Sequence, residues 1–88
     1  MKKEDLTLPW KEENNALVHT FTCNDFMDAI AYIRDIAMIA EKMDHHPSLS
    51  LHEYNKVTVS LTTHDTGGVS QRDVDLAHAI EVLWKNKL

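Results

Sequence analysis

Residues 48–62, SLSLHEYNKVTVSLT, contain two runs in which apolar and polar side chains alternate. In the first run leucine alternates with serine, and in the second, valine and leucine alternate with serine and threonine. Because successive side chains of a strand point to opposite faces of a sheet, each run predicts a strand with one buried face. Asn55-Lys56 offers a turn between them. The stretch therefore predicts an antiparallel pair of half-buried strands.

The preceding sequence predicts a further pair of strands. Residues 16–22 form a strand-like run, and Asn14-Asn15 is a plausible two-residue hairpin turn that joins it to a short strand. Between this pair and the first lies a long segment with helical periodicity, for which Asn24 or Asp25 is a suitable N-cap. We expect Pro47 to end this helix, because proline disfavours the helical conformation of the residue before it.

The apolar residues of this helix recur at steps of three and four, which predicts a wide buried face. The predicted stripe consists of Phe26, Ile30, Ile33, Ala37 and Ala40, flanked by Ala29, Ile36 and Met43. Tyr32 and Ile39 lie off the stripe and form a smaller apolar patch that is a candidate surface for a partner.

A last helix is predicted from Ser70, after a loop that contains the adjacent glycines Gly67 and Gly68. Its apolar stripe is Val74, Ala77, Ile80 or Leu83, and Trp84. The order strand, strand, helix, strand, strand, helix favours an α+β fold, in which a four-stranded antiparallel sheet carries its helices on one face.

Composition narrows the class of protein. The 88 residues suit a single domain, and the net charge of −5 argues against a broad nucleic-acid surface. The single cysteine, Cys23, excludes an intrachain disulfide and suits a reducing compartment. There is no signal-peptide pattern or membrane-length apolar run, so we expect a cytoplasmic protein without membrane contact. The sequence contains only two glycines, which are adjacent, and this excludes a GxGxxG nucleotide-binding fingerprint.

Six histidines are present, and three of them fall at element ends. His45 and His46 are adjacent at the predicted helix end, and His64 follows the last strand. Histidine has an unperturbed pKa of about 6.5 and exchanges protons near neutral pH. A helix C-terminus also favours a protonated imidazole, by up to about 1 kcal/mol. The pattern indicates an acid–base site, although single histidines are usually structural or surface residues.

Two alternatives concern the same residues. Three histidines and a carboxylate can bind zinc, but adjacent His45 and His46 lack the i, i+4 spacing that places two ligands on one helical face. We therefore expect no metal site. Asp73 completes the capping-box pattern Ser70-x-x-Asp73, so it serves the helix start, the histidine site, or both.

Four short motifs resemble the signature of the pterin-4a-carbinolamine dehydratases. They are EKMDHHP at 41–47, YNKV at 54–57, LTTH at 61–64, and GVS at 68–70 followed by Asp73. The resemblance extends over nearly the whole chain from about Pro9 and also includes Trp10, Phe21 and the Asp25-Phe26 pair.

The resemblance implies the same α+β fold and a reaction. Members of the family remove water from 4a-hydroxytetrahydropterin to give quinonoid dihydropterin, which recycles the cofactor of aromatic amino acid hydroxylases. By resemblance His45, His46 and His64 line the pterin pocket and Asp73 supports an imidazole, with no metal or organic cofactor. We expect His46 to be the principal acid–base residue, and His45 and His64 to act on the hydroxyl. Homodimers or homotetramers are implied.

The resemblance also has departures and an alternative. Ser48 and Leu49 stand where family members often carry an acidic and an aromatic residue, and residues 1–8 are expected to be a shortened or disordered N-terminal segment. Some members act as dimerisation cofactors of a transcription factor or as assembly factors. A non-catalytic protein-binding module is therefore the alternative function, and the joint presence of the three histidines favours the enzyme.

Overall fold

The computed structural model describes residues 3–87, which form one sheet and two long helices. The strands are β1 (Lys11–Glu13), β2 (Ala16–Thr22), β3 (Ser48–His52) and β4 (Lys56–Leu61); the helices are α1 (Phe26–Met43) and α2 (Gln71–Lys87), with 3₁₀ turns at Lys3–Asp5 and His64–Thr66. The prediction for Met1 and Lys2, within the N-terminal segment, lies outside the described residues.

The sheet has the order β1-β2-β4-β3, and every neighbouring pair is antiparallel. Val57, Val59 and Leu61 of β4 are fully buried, because this central strand faces the helices on one side. Helix α1 packs on β3, β4 and α2. The predicted α+β class, with four antiparallel strands and helices on one face, is confirmed.

The two hairpin turns have different outcomes. Asn14 and Asn15 adopt φ of 50° and 64°, so the predicted turn between β1 and β2 is confirmed. The predicted Asn55-Lys56 turn is wrong, because Glu53 and Tyr54 take the positive φ values, 49° and 58°. Asn55 is instead tied to the end of β2, where its side-chain amide donates to the Cys23 carbonyl at 3.0 Å.

Helix α1 begins as predicted, with the Asp25 carboxylate accepting the Asp28 N–H at 2.7 Å. Its buried face differs from the prediction: Phe26 and Ile30 are 49% and 41% exposed, whereas Tyr32, predicted to lie off the stripe, is fully buried. The Tyr32 hydroxyl donates to the Ile80 carbonyl of α2 at 3.1 Å. The helix is apolar on adjoining arcs, and the arc that contains this large side chain faces the core.

The segment before β1 is anchored by a buried carboxylate on α2. Glu81 is 1% exposed and accepts hydrogen bonds from the Thr7 and Leu8 N–H groups, at 3.0 and 2.8 Å, and from Trp10 Nε1 at 2.9 Å. Burial opposes the charge of Glu81, but these hydrogen bonds outweigh it and lower the pKa of the carboxyl. Glu81 thereby joins the N-terminal segment to α2.

Neither helix within residues 3–87 combines the length and apolar character that crossing a bilayer requires.

Replacing Glu81 tests this anchor. Because the folded-state pKa is lowered, its stabilisation is present above the ordinary glutamate pKa of about 4.3 and is lost as the pH falls through the folded value. We expect Glu81→Gln to lower the free energy of unfolding by about 1–3 kcal/mol at pH 7 in urea titrations. The difference from the wild type should shrink at pH 3. Exposed Glu13→Gln is the matched control, and an equal effect of both substitutions would contradict the anchor.

Candidate active site

The end of α1 positions the adjacent histidines. Asp44 adopts the left-handed conformation, with φ of 51°, and its N–H donates to the Glu41 carbonyl at 3.3 Å. The His45 N–H donates to the Ala40 carbonyl at 3.2 Å, which completes a Schellman motif. The helix therefore ends at Met43, and the prediction that Pro47 ends it is wrong. The left-handed residue turns the chain before the proline is reached.

A tight loop at the end of β4 positions the third histidine. The Thr63 and Gly68 backbones exchange hydrogen bonds of 3.1 and 3.3 Å, which close the loop that contains His64. Gly67 has φ of 72°, a conformation that glycine adopts without strain. The His64 side chain is exposed at the start of the 3₁₀ turn.

A buried carboxylate at the start of α2 connects these two segments. Asp73 Oδ1 lies 2.6 Å from His45 Nε2, and Asp73 Oδ2 accepts from the Thr63 hydroxyl at 2.8 Å and from the Ser70 N–H at 2.9 Å. The last contact is the side-chain half of the predicted capping box. Asp73 therefore caps its helix and holds an imidazole.

The surroundings of Asp73 keep it ionised. The carboxylate is fully buried, and burial alone would raise its pKa. Hydrogen bonds from His45, the Ser70 N–H and the Thr63 hydroxyl outweigh burial, so the pKa lies below the usual aspartate value. An ionised carboxylate can only accept hydrogen bonds, so His45 donates to Asp73 from Nε2. Nδ1 is the ring nitrogen of His45 that does not contact Asp73.

His46 has a different environment. Its side chain is 60% exposed, against 10% for His45, and its Nε2 lies 2.6 Å from Glu41 Oε2. Glu41 is itself exposed on the last turn of α1. Each of the two adjacent imidazoles is therefore oriented by a carboxylate, one of them buried and the other open to solvent.

The three predicted histidines line one cleft of about 310 Å³ between the α1–β3 junction and the loop after β4. Asp44, Asp65 and Arg72 add charged groups to its wall, and Ser48, Ser60 and Thr62 add hydroxyls. Asp73 does not line the cleft and supports it from behind through His45. The structure thus brings together all four residues that the sequence indicated.

The other three histidines lie elsewhere. His19 packs against Phe21 and Trp10, with ring centroids 4.6 and 5.6 Å away. His52 Nε2 bonds the Thr58 hydroxyl at 2.8 Å on the open face of the sheet, and His78 lies on α2. None of the three lines the histidine cleft.

Two residues that contribute to the site, Glu41 and Arg72, were not predicted from the sequence. Glu41 belongs to the quoted motif, but only its hydrogen bond to His46 reveals a role. Arg72 donates from Nη2 to the Asp44 carbonyl at 2.7 Å and so joins α2 to the end of α1. Its position between Ser70 and Asp73 of the capping box was the available signal.

Within residues 3–87, no group of three or more His, Cys, Asp or Glu side chains is arranged so that it could hold a metal ion. What the cleft offers is proton donors and acceptors. Fold and site together define a small α+β domain with a histidine–carboxylate cleft suited to acid–base chemistry.

Comparison with known proteins gives the family. Residues 2–83 match the family described as Pterin 4 alpha carbinolamine dehydratase, and the chain belongs to that family. A relative from Thermosynechococcus vestitus, named "Putative pterin-4-alpha-carbinolamine dehydratase", is 47% identical over 74 residues, covering 84% of this chain and 77% of the relative. A Sulfolobus acidocaldarius relative with the same name is 44% identical over 71 residues, covering 81% of this chain and 77% of its own.

Two solved structures share the fold. A transcriptional coactivator/pterin dehydratase from Brucella melitensis has a TM-score of 0.77 at 33% identity, covering 83% of this chain and 79% of its own. A pterin dehydratase-like protein identified as a RuBisCO assembly factor in the α-carboxysome has a TM-score of 0.70. It is 17% identical, over 84% of this chain and 87% of its own, and shows likeness of fold alone.

Asp73→Ala tests whether this carboxylate holds the site together. The substitution would leave the donors of His45, Thr63 and Ser70 without their acceptor, so we expect a loss of about 2–4 kcal/mol in the free energy of unfolding. Asp75→Ala is the matched control, because it removes a carboxylate from the same helix whose contact with Gln71 is exposed. Urea denaturation of both variants makes the comparison, and equal losses would contradict the role of Asp73.

Proposed function

We propose that this protein catalyses the dehydration of 4a-hydroxytetrahydropterin to quinonoid dihydropterin. The observation that carries the proposal is the convergence of His45, His46 and His64 on one cleft, with buried Asp73 behind His45. Family membership supports the pterin substrate. In this role the protein regenerates the cofactor of aromatic amino acid hydroxylases. The free, buried Cys23 suits action in a reducing compartment such as the cytoplasm.

The reaction requires two proton transfers. The C4a–O bond breaks as an acid protonates the departing hydroxyl, which leaves as water, and a base removes the proton from N5. The N5 electron pair then forms the double bond to C4a, so atoms and charge balance without an oxidant or reductant. Each positioned acid or base typically contributes ~10²–10⁴-fold to the rate.

The roles are assigned from the two imidazole environments. His46 is the principal acid–base residue, because it is the more exposed of the two adjacent imidazoles and its Nε2 contacts the Glu41 carboxylate. His45 and His64 act on the hydroxyl, and Asp73 holds His45 and balances positive charge on its ring. No metal or organic cofactor takes part in this scheme.

Single alanine variants test the assignment. We expect His46→Ala to lower kcat/KM for 4a-hydroxytetrahydropterin by ~10²-fold or more, and His45→Ala and His64→Ala to show smaller losses. The substrate is generated with a phenylalanine hydroxylase and its decay is followed by ultraviolet absorbance. His52→Ala is the matched control, because this histidine lies on the sheet outside the cleft.

Near-normal turnover in His46→Ala, together with a large loss of kcat/KM in His45→Ala or His64→Ala, would contradict the role of His46. Equal losses in His52→Ala would show that the effects come from folding rather than from the cleft.

An exposed apolar surface on α1 also favours a contact with another protein chain. We call this surface the α1 outer face, formed by Phe26, Met27, Ile30 and Met38, all of which are exposed. Apolar patches of this kind often mark contacts between proteins. We propose that a second copy of the chain covers it, giving a homodimer or a homotetramer. A non-catalytic role in binding another protein remains the alternative function.

Sedimentation velocity over a range of concentrations tests the contact. We expect the wild type to sediment as an oligomer and Ile30→Glu to sediment as a smaller species, because a charge at the centre of the α1 outer face opposes its burial. Val82→Glu on α2 is the matched control, because it replaces an aliphatic side chain of similar exposure, 44%, outside the α1 outer face. A monomeric wild type would contradict self-association and leave the α1 outer face to a different protein.

A further inference from the structure

A second cavity lies at the β1 edge of the sheet, away from the three histidines of the cleft. It has a volume of about 390 Å³, within the range of cavities that hold small organic ligands. Val18 and Thr20 of its lining alternate with Leu17 and Phe21, which are buried in the core, so they lie on the open face of the sheet. The lining consists of Pro9, Lys11, Glu13, Val18, His19 and Thr20, none of which lines the histidine cleft.

Two opposite charges lie at the rim of this cavity. Lys11 is the register partner of Val18, and Glu13 lies two residues farther along β1, so both side chains are on the open face. Their Cβ atoms are about 6.7 Å apart, the length of two residues of a strand. Both residues are exposed, and within residues 3–87 neither side chain forms an ion pair or a hydrogen bond. A cation and an anion are therefore available to a ligand at one cavity.

The rest of the lining offers few polar groups. The Thr20 hydroxyl already shares a 2.8 Å hydrogen bond with the Thr58 hydroxyl. The His19 ring packs against two aromatic side chains on the helix-facing side of the sheet. Pro9 and Val18 add apolar surface. The cavity thus combines an apolar floor with one positive and one negative charge at its rim.

This combination selects a ligand that carries both charges. A phosphate or a simple carboxylate would place its negative charge against Glu13, and an amine would place its positive charge against Lys11. We infer that the cavity binds a free α-amino acid with an apolar side chain. The carboxylate of the amino acid pairs with Lys11, its ammonium group pairs with Glu13, and its side chain covers Pro9 and Val18.

The geometry of the rim suits this ligand. An α-amino acid carries its two charges on one carbon, and the side chains of Lys11 and Glu13 project from neighbouring positions on the same face of β1. Both side chains have several rotatable bonds, so their charged ends can converge on that carbon. The inference goes beyond the proposed function, because no residue of this cavity takes part in the proposed dehydration.

Titration calorimetry with three related compounds tests the site. L-phenylalanine carries both charges, 3-phenylpropionate lacks the ammonium group, and 2-phenylethylamine lacks the carboxylate. We expect the wild type to bind one L-phenylalanine per chain and to bind each of the other compounds about fivefold more weakly, because each loses one charge pair at an exposed site. Added salt should weaken the binding of L-phenylalanine.

Substitution of each charge should remove one preference. Lys11→Met should abolish the preference for L-phenylalanine over 2-phenylethylamine, and Glu13→Gln the preference over 3-phenylpropionate. Both residues are exposed on a short edge strand, so we expect the variants to keep the fold, as circular dichroism can verify. Lys85→Met is the matched control, because it removes an exposed lysine of α2 outside the cavity and should leave both preferences unchanged.

The absence of saturable L-phenylalanine binding, equal affinities for the three compounds, or preferences that survive both substitutions would overturn the site. The variant His45→Ala/His46→Ala separates this cavity from the histidine cleft. Unchanged L-phenylalanine binding in that variant would support the β1 site, whatever the dehydration assay shows. Loss of binding in the folded variant would place the amino acid in the histidine cleft and overturn the inference.

Discussion

The buried Asp73 carboxylate is the interaction on which the arrangement of the site depends. It accepts hydrogen bonds from His45 after α1, from Thr63 after β4 and from the Ser70 N–H before α2. His45 is 28 residues from Asp73 in the sequence, whereas Thr63 and Ser70 are near it, and all three meet at one pair of oxygens. A buried charge is tolerated only when it is well paired, so the same contacts that keep Asp73 ionised also fix where His45 lies.

Around this fixed point the cleft combines a buried part with a solvent-exposed part. His45 is held between the core and the cleft, whereas His46, the next residue, is oriented only by exposed Glu41. His64 approaches from a short loop closed by the Thr63–Gly68 pair. Two neighbouring imidazoles with different surroundings are a reasonable basis for two different proton-transfer roles. The sheet contributes Ser48 of β3 and Ser60 of β4, which line the cleft and are paired in the strand register.

The sequence predicted the elements well because their patterns are local. Alternation in β2, β3 and β4, the Asn14-Asn15 turn and the Asp25 cap each depend on a few neighbouring residues. The buried face of α1 was assigned wrongly because this helix is apolar on more than one arc. Which arc is buried depends on Tyr32 reaching the Ile80 carbonyl on the other helix. The end of α1 was also misplaced, since a left-handed Asp44 gives no clear signal in the sequence.

The candidate site was predictable as a set of residues but not as a geometry. His45, His46, His64 and Asp73 were all indicated, by histidine chemistry, by a capping box and by resemblance. The pairing of His45 with Asp73 could not be predicted, because it depends on how the end of α1 and the start of α2 meet in space. The pairing of His46 with Glu41 depends on the left-handed turn at Asp44, which the sequence did not predict. Function is a separate question, because one fold can support several functions and the structures that share this one include a RuBisCO assembly factor.

The most direct test of the central claim compares the wild type with His45→Ala/His46→Ala in the decay of enzymatically generated 4a-hydroxytetrahydropterin. We expect the wild type to accelerate this decay well above the spontaneous rate, and the double variant, shown to be folded by circular dichroism, not to do so. Decay at the spontaneous rate with the wild type, or equal acceleration by both proteins, would contradict the proposed role of this histidine pair.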